Sequence, residues 1–189
     1  MSDKLSESFP PVIGFHLHTL ILGTMPGQKS LQTQQYYAHP RNALWPVLCA
    51  MVTGEPPRYT IHETLSYEDR CKLISDAGFG LWDVLAQCER PGSLDASISR
   101  QSEVPNDIQA LVEQHPELKT IACNGRTAHT LLKRHILSKY DSDKSSLKLP
   151  RIVCLPSTSP AMASLSLAEK FCQWSEVLQP PEYNTSNTT

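Results

Sequence analysis

A loop rich in glycine and proline, followed by a cluster of aromatic and polar residues, stands near the start of this 189-residue chain. The loop is Gly-Thr-Met-Pro-Gly at residues 23–27, directly after the apolar run of residues 20–22. The residues that follow it are Tyr36, Tyr37, His39, Arg41 and Asn42. Backbone N–H groups of such a loop can face an anion or a polar ring, and tyrosines offer flat surfaces for stacking. We therefore expect a ligand that combines a phosphate with a base.

Four apolar runs predict the β-strands that would position these residues. They lie at about residues 15–22, 79–85, 118–123 and 151–155, and they alternate with helical patterns. Strands that alternate with helices are typical of a parallel sheet covered by helices on both faces. The sequence therefore predicts an α/β fold, in which ligands bind at the carboxyl ends of the strands.

Capping residues mark where the helices begin. Asn42 is placed to cap a helix whose apolar residues recur between residues 44 and 51, with Pro46 tolerated in its first turn. Ser66 and Asp69 resemble a capping box ahead of the next helix. Further helices are predicted around residues 108–115, 128–132 and 167–178. Helix capping is thus one role open to Asn42.

Each predicted strand is followed by an unusual polar sequence. These sequences are the loop at 23–27, Trp-Asp at 82–83, Asn-Gly-Arg-Thr at 124–127 and Pro-Ser-Thr-Ser-Pro at 156–160. Parallel strands would gather them at one edge of the sheet. The amides, hydroxyls, carboxylate and cations expected there are Asn42, Asn124, Thr24, Ser157, Thr158, Ser159, Asp83, Arg41 and Arg126. Spacing reveals no Ser-His-Asp or Cys-His pattern, so this set favours binding and polarising a leaving group over covalent attack.

Composition limits the class of protein. The chain is long enough for one domain with a hydrophobic core, and we expect it to act as a monomer. It has no apolar run of membrane-spanning length, and its first residues, MSDKLSESF, lack the apolar centre of a signal peptide. We expect no membrane partner and a place in the cytoplasm, or in the nucleus if the source is eukaryotic. The net charge of −2 is low for a nucleic-acid-binding protein, so contact with DNA would depend on a local patch.

Six cysteines are scattered at wide spacings, and three of them lie in apolar runs. We expect reduced, mostly buried thiols. No Cys-x-x-Cys pair or Cys/His cluster predicts a metal site. Cys123 and Cys154 lie near the ends of predicted strands, which leaves a thiol hydrolase as an alternative function.

Segments without periodic patterning lie at both ends of the chain and in two connections. We expect a flexible N-terminus at 1–12, a single domain at 13–178, a disordered tail at 179–189 and a disordered stretch near residue 141. Residues 86–104 form a long connection rich in Ser, Arg and Gly, and such connections are often functional. We assign Arg90 and Ser93 of this connection to the mouth of the ligand pocket.

Four segments together resemble the hypoxanthine-DNA glycosylase branch, family six, of the uracil-DNA glycosylase superfamily. They are the loop at 23–27, Tyr-Tyr-Ala-His-Pro-Arg-Asn-Ala-Leu-Trp at 36–45, Gly-Leu-Trp-Asp-Val-Leu at 80–85 and Leu-Pro-Ser-Thr-Ser-Pro-Ala at 155–161. The similarity runs in order from about residue 13 to residue 178. It implies a three-layer α/β/α fold with a central four-stranded parallel sheet and a pocket for one base flipped out of DNA. It also implies hydrolysis of the bond between that base and its deoxyribose, without a cofactor or a metal.

Two residues depart from the pattern of the wider superfamily. Met25 stands where many relatives hold a water-activating Asp or Asn, and a thioether can neither orient nor deprotonate water. In the hypoxanthine branch that role is assigned to the Asn of the His-Pro-Arg-Asn sequence, here Asn42. Leu155 stands where the best-known uracil enzymes carry a His that stabilises the departing uracil anion, which counts against uracil excision by that route.

The resemblance and the residue chemistry together give each candidate a role. Asn42 is the catalytic candidate: its carboxamide is no strong base, but it can hold a water, which suffices once the base has mostly departed. The base-binding candidates are Gly23, Thr24, Met25, Pro26, Gly27, Tyr37 and Asp83. The DNA-binding candidates are Arg126, Ser157, Thr158 and Ser159, with Met162 as an apolar wedge.

Each role has a structural alternative. The alternatives are a helix cap for Asn42, core packing for Tyr36 and Tyr37, a strand end for Asp83, a solvated charge for Arg126 and a polar turn for residues 157–159; His39 is expected to be structural.

The leading interpretation is a monofunctional DNA glycosylase that removes a deaminated base, chiefly hypoxanthine from deoxyinosine, and so initiates base excision repair. The alternatives are a glycosylase for uracil or for a broader set of deaminated bases, and a non-catalytic nucleic-acid-binding module with this fold.

Overall fold

The computed structural model describes residues 5–138 and 149–178. In chain order its strands are β1 (Leu5–Glu7), β2 (Thr19–Gly23), β3 (Phe79–Asp83), β4 (Leu85–Glu89), β5 (Val104–Pro105), β6 (Thr120–Asn124) and β7 (Arg151–Leu155). Its helices are α1 (Gln28–Thr33), α2 (Leu44–Thr53), α3 (Ile61–Thr64), α4 (Tyr67–Asp76), α5 (Ile108–Gln114), α6 (Arg126–Leu132) and α7 (Leu167–Val177). Short 3₁₀ turns at Asp95–Ser97 and Arg100–Ser102 follow β4, and a π-helical turn at Lys133–Leu137 extends α6.

A four-stranded parallel sheet forms the centre of the molecule, with its strands in the order β3-β2-β6-β7. The register pairs Gly23 with Asp83 across β2 and β3, and Asn124 with Leu155 across β6 and β7. The carboxyl ends of all four strands therefore lie along one edge of the sheet. The predicted α/β class and the predicted gathering of strand ends are confirmed.

Helices cover both faces of this sheet, and each face has its own hydrophobic core. Leu20 and Leu22 of β2 face one core, which α5 and α6 complete, whereas Ile21 faces the other core with α2, α4 and α7. The residues alternate between the faces because successive Cβ atoms of a strand point in opposite directions. The three-layer α/β/α arrangement is confirmed, and Trp45 and Trp174 are fully buried in its second core.

The predicted helix starts are confirmed for α2 and α4. The Ser66 hydroxyl accepts the Asp69 N–H at 3.0 Å and donates to the Asp69 carboxylate at 2.7 Å ahead of α4. Helix α2 begins at Leu44 and carries Pro46 in its first turn. The N-cap residue is Ala43, which makes no side-chain cap bond, and Asn42 lies one residue before it. From there the side-chain Oδ1 of Asn42 accepts the Leu44 N–H at 2.9 Å, so Asn42 satisfies the first N–H of this helix.

A second, antiparallel sheet of β1, β4 and β5 corrects two expectations. Leu5–Glu7 pair with β4 and Val12 bridges to Leu81, so the expectation of a flexible N-terminus is wrong for residues 5–12. The connection predicted at 86–104 begins instead within strand β4, because Leu85 and Cys88 are buried in the first core. The edge strands β1 and β5 have three and two residues, too few to be recognised from sequence periodicity.

Some predictions fall outside the described residues. They concern the flexible start at residues 1–4, the disordered stretch near residue 141 and the tail at 179–189. Within residues 5–138 and 149–178, no helix is both long and apolar enough to cross a membrane.

Candidate active site

A cavity of about 390 Å³ opens at the carboxyl edge of the central sheet, a volume typical of small-molecule sites. Segments that end or follow all four strands line it: residues 23–30 after β2, Asp83 of β3, Asn124 of β6 and residues 157–162 after β7. The remaining lining residues are Tyr36, Tyr37, His39, Asn42, Ser93, Leu94 and Asp95. The structure therefore brings together the catalytic candidate, all the base-binding candidates and the Ser-Thr-Ser sequence of residues 157–159.

The glycine- and proline-rich loop at residues 23–27 is held by hydrogen bonds to its carbonyl groups. The N–H groups of Val84 and Leu85 donate to the first two carbonyls, at 2.9 Å and 3.2 Å. The buried guanidinium of Arg90 donates to the Met25 carbonyl at 3.4 Å and to the Pro26 carbonyl. Arg90 thus fixes the floor of the cavity rather than shaping its mouth. Sequence analysis missed this role because a side-chain contact across 65 residues leaves no periodic signal.

Asn42 lies at the cavity wall with most of its polar atoms already engaged. Its N–H donates to the His39 carbonyl at 2.8 Å, and its Oδ1 accepts the Leu44 N–H at 2.9 Å. Because Oδ1 must be the acceptor of that bond, the side-chain orientation is fixed and Nδ2 is the remaining donor. No residue in the described part of the chain bonds to Nδ2. The side chain is 8% exposed, so it combines a bond to the first N–H of α2 with a donor at the cavity.

A histidine contacts the backbone carbonyl of Asn42, and a buried arginine holds that histidine. Arg70 donates from Nη1 to Nδ1 of His62 at 3.1 Å, so the imidazole proton lies on Nε2, which is 3.5 Å from the Asn42 carbonyl oxygen. The guanidinium of Arg70 stacks over the Trp45 ring, 5.0 Å from its centroid. Burial lowers the pKa of His62, which keeps the imidazole neutral and able to accept from Arg70. Sequence reasoning missed both residues.

The two tyrosines differ in how their hydroxyl groups are satisfied. Tyr36 belongs to the core, and its hydroxyl donates to the Phe9 carbonyl at 3.1 Å. The hydroxyl of Tyr37 is buried beside the Asn124 side chain; burial raises its pKa and Asn124 lowers it by less, but the hydroxyl makes no hydrogen bond of good geometry with the described residues. Tyr37 also has a left-handed backbone with φ of 54°, a conformation unfavourable for a residue with a side chain. Tyr36 therefore has the structural role, and Tyr37 is a polar wall of the cavity.

Asp83 ends strand β3 at the base of the cavity and is 2% exposed. Its Oδ2 accepts a hydrogen bond of 2.8 Å from the Ser8 hydroxyl in the N-terminal segment. A Cβ added to Gly23 would clash with Asp83 Oδ1 and would lie 2.7 Å from the Tyr37 hydroxyl. Burial, with a smaller effect of the Asp95 carboxylate, raises the pKa of Asp83 to about 7. The glycine at position 23 thus leaves room for two polar groups that lie close to the same point.

The Ser-Thr-Ser sequence of residues 157–159 is anchored through its middle residue. The Thr158 hydroxyl and N–H form bonds of 2.8 Å with both side-chain atoms of Asn124, and the Thr158 carbonyl accepts the Ala43 N–H at 3.0 Å. Thr158 is fully buried, so its side chain holds the turn instead of facing outward. Ser157 and Ser159 are partly exposed beside it. Any direct phosphate contact therefore falls to the serines.

Helix α7 contributes two further anchors for the same segment. The buried Lys170 donates to the Met162 carbonyl at 2.9 Å, and Trp174 Nε1 donates to the Pro156 carbonyl at 3.0 Å. Met162, the proposed apolar wedge, is 36% exposed at the rim of the cavity. Sequence analysis assigned Trp174 only to the core and did not single out Lys170.

The remaining candidates lie away from the cavity. Arg126 is exposed at the first position of α6 and does not line the cavity. Cys123 is fully buried, and burial raises its thiol pKa to about 12, which excludes it as a ready nucleophile. Cys154 does not line the cavity either.

All six cysteines are free, as expected, but they are not mostly buried. Cys154 lies on the edge strand β7 and Cys172 on the outer side of α7, and both are exposed. Within the described residues no three His, Cys, Asp or Glu side chains are grouped so that they could hold a metal ion.

The family model of the uracil DNA glycosylase superfamily matches residues 10–179. The chain belongs to this superfamily. A hypoxanthine DNA glycosylase of Methanosarcina barkeri is 34% identical over 120 residues, which are 64% of this chain and 71% of that protein. A hypoxanthine DNA glycosylase of Methanosarcina acetivorans is 36% identical over 124 residues, 66% of this chain and 73% of that protein.

A solved structure agrees with these matches. The solution structure of a candidate uracil DNA glycosylase from Methanosarcina acetivorans is similar, with a TM-score of 0.71 and 29% sequence identity. The likeness covers 92% of this chain and 96% of that one. Superfamily membership and the two sequence relatives identify the chain as a DNA glycosylase, and the predicted resemblance is confirmed.

Proposed function

We propose that this DNA glycosylase is monofunctional and removes a deaminated base, chiefly hypoxanthine from deoxyinosine, after the base has flipped out of DNA. The observation that carries the proposal is the position of Asn42, whose fixed carboxamide lines the same cavity as Asp83. Two relatives that are 34% and 36% identical and are named hypoxanthine DNA glycosylases support the choice of base. Removal of the base would initiate base excision repair.

Asn42 would act by holding the attacking water. Cleavage of an N-glycosidic bond builds positive charge on the sugar and negative charge on the leaving base. The Leu44 N–H occupies one lone pair of Asn42 Oδ1, which leaves the second lone pair and the Nδ2 donor for a water. A neutral carboxamide does not deprotonate that water, so attack follows departure of the base.

Two apolar residues favour a purine as the leaving group. Met25 packs in the first core and Leu155 is buried in the second, so neither side chain can donate a hydrogen bond to a departing uracil anion. A purine spreads its negative charge over two rings and can use other donors in the cavity. Asp83 and the loop at residues 23–27 are the proposed contacts to the flipped base.

The contacts with DNA phosphates are assigned to Ser157, Ser159 and Arg126. The two serines lie at the rim on a turn that Asn124 fixes through Thr158, and Arg126 stands exposed at the start of α6. This small set suits a chain with a net charge of −2, which binds DNA through a local patch. We propose a monomer without a cofactor, working where the genome lies, in the cytoplasm or in a eukaryotic nucleus.

The proposal is tested with labelled duplexes that carry deoxyinosine, deoxyuridine or deoxyxanthosine, followed by alkaline cleavage of abasic sites. We expect the fastest cleavage after incubation with the deoxyinosine duplex. Faster release of uracil would favour the broader deaminated-base alternative. A folded protein that binds these duplexes without releasing any base would instead be a non-catalytic module.

Two additions to this assay test the metal-free, thiol-independent mechanism. EDTA should not reduce the rate, and alkylation of all thiols should leave the activity in place. A loss of activity with EDTA that a divalent ion restores would contradict the metal-free mechanism. Inactivation by alkylation, with the fold intact, would favour the alternative function of a thiol hydrolase.

A further inference from the structure

One polar group of the cavity lining, the Tyr37 hydroxyl, makes no hydrogen bond to the described residues. It is buried, although Tyr37 lines a cavity of about 390 Å³. Leaving a buried donor unpaired is unfavourable, and so is the left-handed backbone that holds Tyr37 in place. Two unfavourable features at one residue indicate a group that is completed by a ligand.

Its immediate neighbour has the complementary chemistry. Asp83 Oδ1 and the Tyr37 hydroxyl lie beside the same point, the position that a Cβ of residue 23 would occupy. Burial and the nearby Asp83 carboxylate raise the pKa of Tyr37, so the phenol keeps its proton and is a donor. Above its pKa of about 7, Asp83 is ionised and only accepts, and its Oδ2 is already held by Ser8. A donor and an acceptor are thus presented side by side.

This pairing matches one edge of a deaminated purine. Hypoxanthine carries an O6 acceptor next to an N1–H donor, whereas adenine reverses both with an N6 amino donor and an N1 acceptor. We propose that Tyr37 donates to O6 while Asp83 accepts from N1–H, so that the pair recognises the oxo edge of hypoxanthine and rejects adenine. The inference rests on the proposed function and gives it a mechanism of base selection. Tyr37 is then a specificity-determining residue through its hydroxyl rather than through stacking.

The size of the effect follows from the rejected base. Adenine would leave the buried Tyr37 hydroxyl and the Asp83 carboxylate without partners and would face them with its own like groups. Sites that hydrogen-bond a substrate group discriminate strongly against analogues lacking that group, because their buried polar atoms stay unpaired. For loss of the single Tyr37 hydroxyl, we expect roughly a ten- to hundredfold loss of rate on hypoxanthine.

The test compares Tyr37→Phe with wild type on two duplexes, one with deoxyinosine and one with deoxynebularine, a purine that lacks both O6 and N1–H. Single-turnover rates of Tyr37→Phe should fall about ten- to hundredfold on deoxyinosine and little on deoxynebularine. Binding of the same duplexes with 2′-fluoro nucleosides, which resist cleavage, makes the comparison independent of a slow rate. Tyr59→Phe is the matched control, since Tyr59 is exposed and does not line the cavity, and loss of its hydroxyl should leave the ratio between the two substrates unchanged.

A stability measurement separates this role from a structural one. Because the Tyr37 hydroxyl has no protein partner in the described part of the chain, Tyr37→Phe should melt at the same temperature as wild type or higher. Tyr36→Phe, which loses the bond to the Phe9 carbonyl, should melt lower. Equal losses of Tyr37→Phe on both duplexes, or a lower melting temperature with an unchanged ratio, would overturn the inference. A wild type that releases no base from deoxyinosine would overturn the proposed function as well.

Discussion

The two sides of the cavity, one around Asn42 and one beside Asp83, differ in how far their polar groups are hydrogen-bonded within the protein. Around Asn42, the side-chain oxygen, the backbone N–H and the backbone carbonyl all contact protein groups. Beside Asp83, the Tyr37 hydroxyl is buried without a partner in the described residues, and the carboxyl group itself is almost completely buried. A group fixed in advance can act on the reaction, whereas an unsatisfied group is completed by its ligand. Variants at the first side should therefore change the chemical step, and variants at the second should change base selection and pH dependence.

The largest effect is expected from Asn42→Ala. Loss of the water-holding carboxamide should lower the single-turnover rate on the order of a hundredfold or more. Loss of the bond to the Leu44 N–H should lower the free energy of unfolding by only about 1 kcal/mol. Rates on a deoxyinosine duplex and unfolding in urea measure the two effects.

Asn42→Ser is the matched control for this prediction. Serine keeps a side-chain oxygen that can cap α2, so stability should return, but it lacks the carboxamide, so the rate should stay low. If Asn42→Ser restores the rate together with the stability, Asn42 is only a helix cap and the contrast between the two sides disappears.

The next largest effect concerns Asp83 and pH. The raised pKa of about 7 means that the folded state keeps this proton at pH values where the unfolded chain has released it. Between roughly pH 4 and pH 7 the folded state binds more protons, so the free energy of unfolding falls as pH rises. Asp83→Asn cannot ionise and should be more stable than wild type at pH 8, by roughly 1 to 4 kcal/mol.

Unfolding in urea at a series of pH values checks the sign of this effect. The difference between Asp83→Asn and wild type should shrink toward zero as the pH falls below about 4, where wild-type Asp83 becomes protonated in both states. A variant that is less stable than wild type at pH 8 would show that the ionised Asp83 is well satisfied. The polar groups on the Asp83 side of the cavity would then be hydrogen-bonded within the protein, as those around Asn42 are.

The amino-acid sequence predicts the positions of residues on both sides of the cavity, but it does not predict the unsatisfied hydroxyl on the Asp83 side, for a physical reason. Asn42 could be placed because a cap must stand next to an apolar helical repeat, and Asp83 because parallel strands end together. The unsatisfied state of Tyr37 depends on Gly23, Asp83 and its own backbone angle, which no local pattern encodes. The sequence therefore located Tyr37 at the site but not the chemistry of its hydroxyl.

The same distinction applies to the fold. Strand β7 was predicted at its observed bounds, Arg151–Leu155, because a run of apolar residues between polar segments is a local signal. Arg90, His62 and Lys170 were not predicted as anchors, since each acts through side-chain contacts with groups in other segments of the chain. Such contacts require the fold before they can be seen.

Arg90→Lys tests whether the floor of the cavity depends on a rigid anchor. One guanidinium donates to the carbonyls of Met25 and Pro26, whereas an ammonium lacks the planar geometry that holds both. We expect about a tenfold lower rate on deoxyinosine, because small displacements of a binding loop are costly in rate. Affinity for undamaged duplex should not change, since the buried side chain of Arg90 is not exposed for contact with DNA. An unchanged rate would show that the N–H groups of Val84 and Leu85 suffice to hold the loop.

The smallest effect is expected at the rim, from Ser159→Ala alone or with Ser157→Ala. Thr158 and Asn124 should keep the turn in place, although each substitution also removes one bond of 3.2 Å, from the Ser159 N–H to Ser157 Oγ or from the Ala161 N–H to Ser159 Oγ. Extruding a base costs a few kcal/mol and less where the base is unpaired, so a weaker phosphate grip should slow excision more from an inosine·cytosine pair than from single-stranded DNA. A lost phosphate contact should also make the fall of affinity with salt shallower. Thr130→Ala, exposed on α6 and outside the cavity, is the control and should leave both measurements unchanged. Equal losses on paired and single-stranded substrates, with the salt dependence unaltered, would show that the serines act on the base, as Asp83 is proposed to do, and not on DNA phosphates.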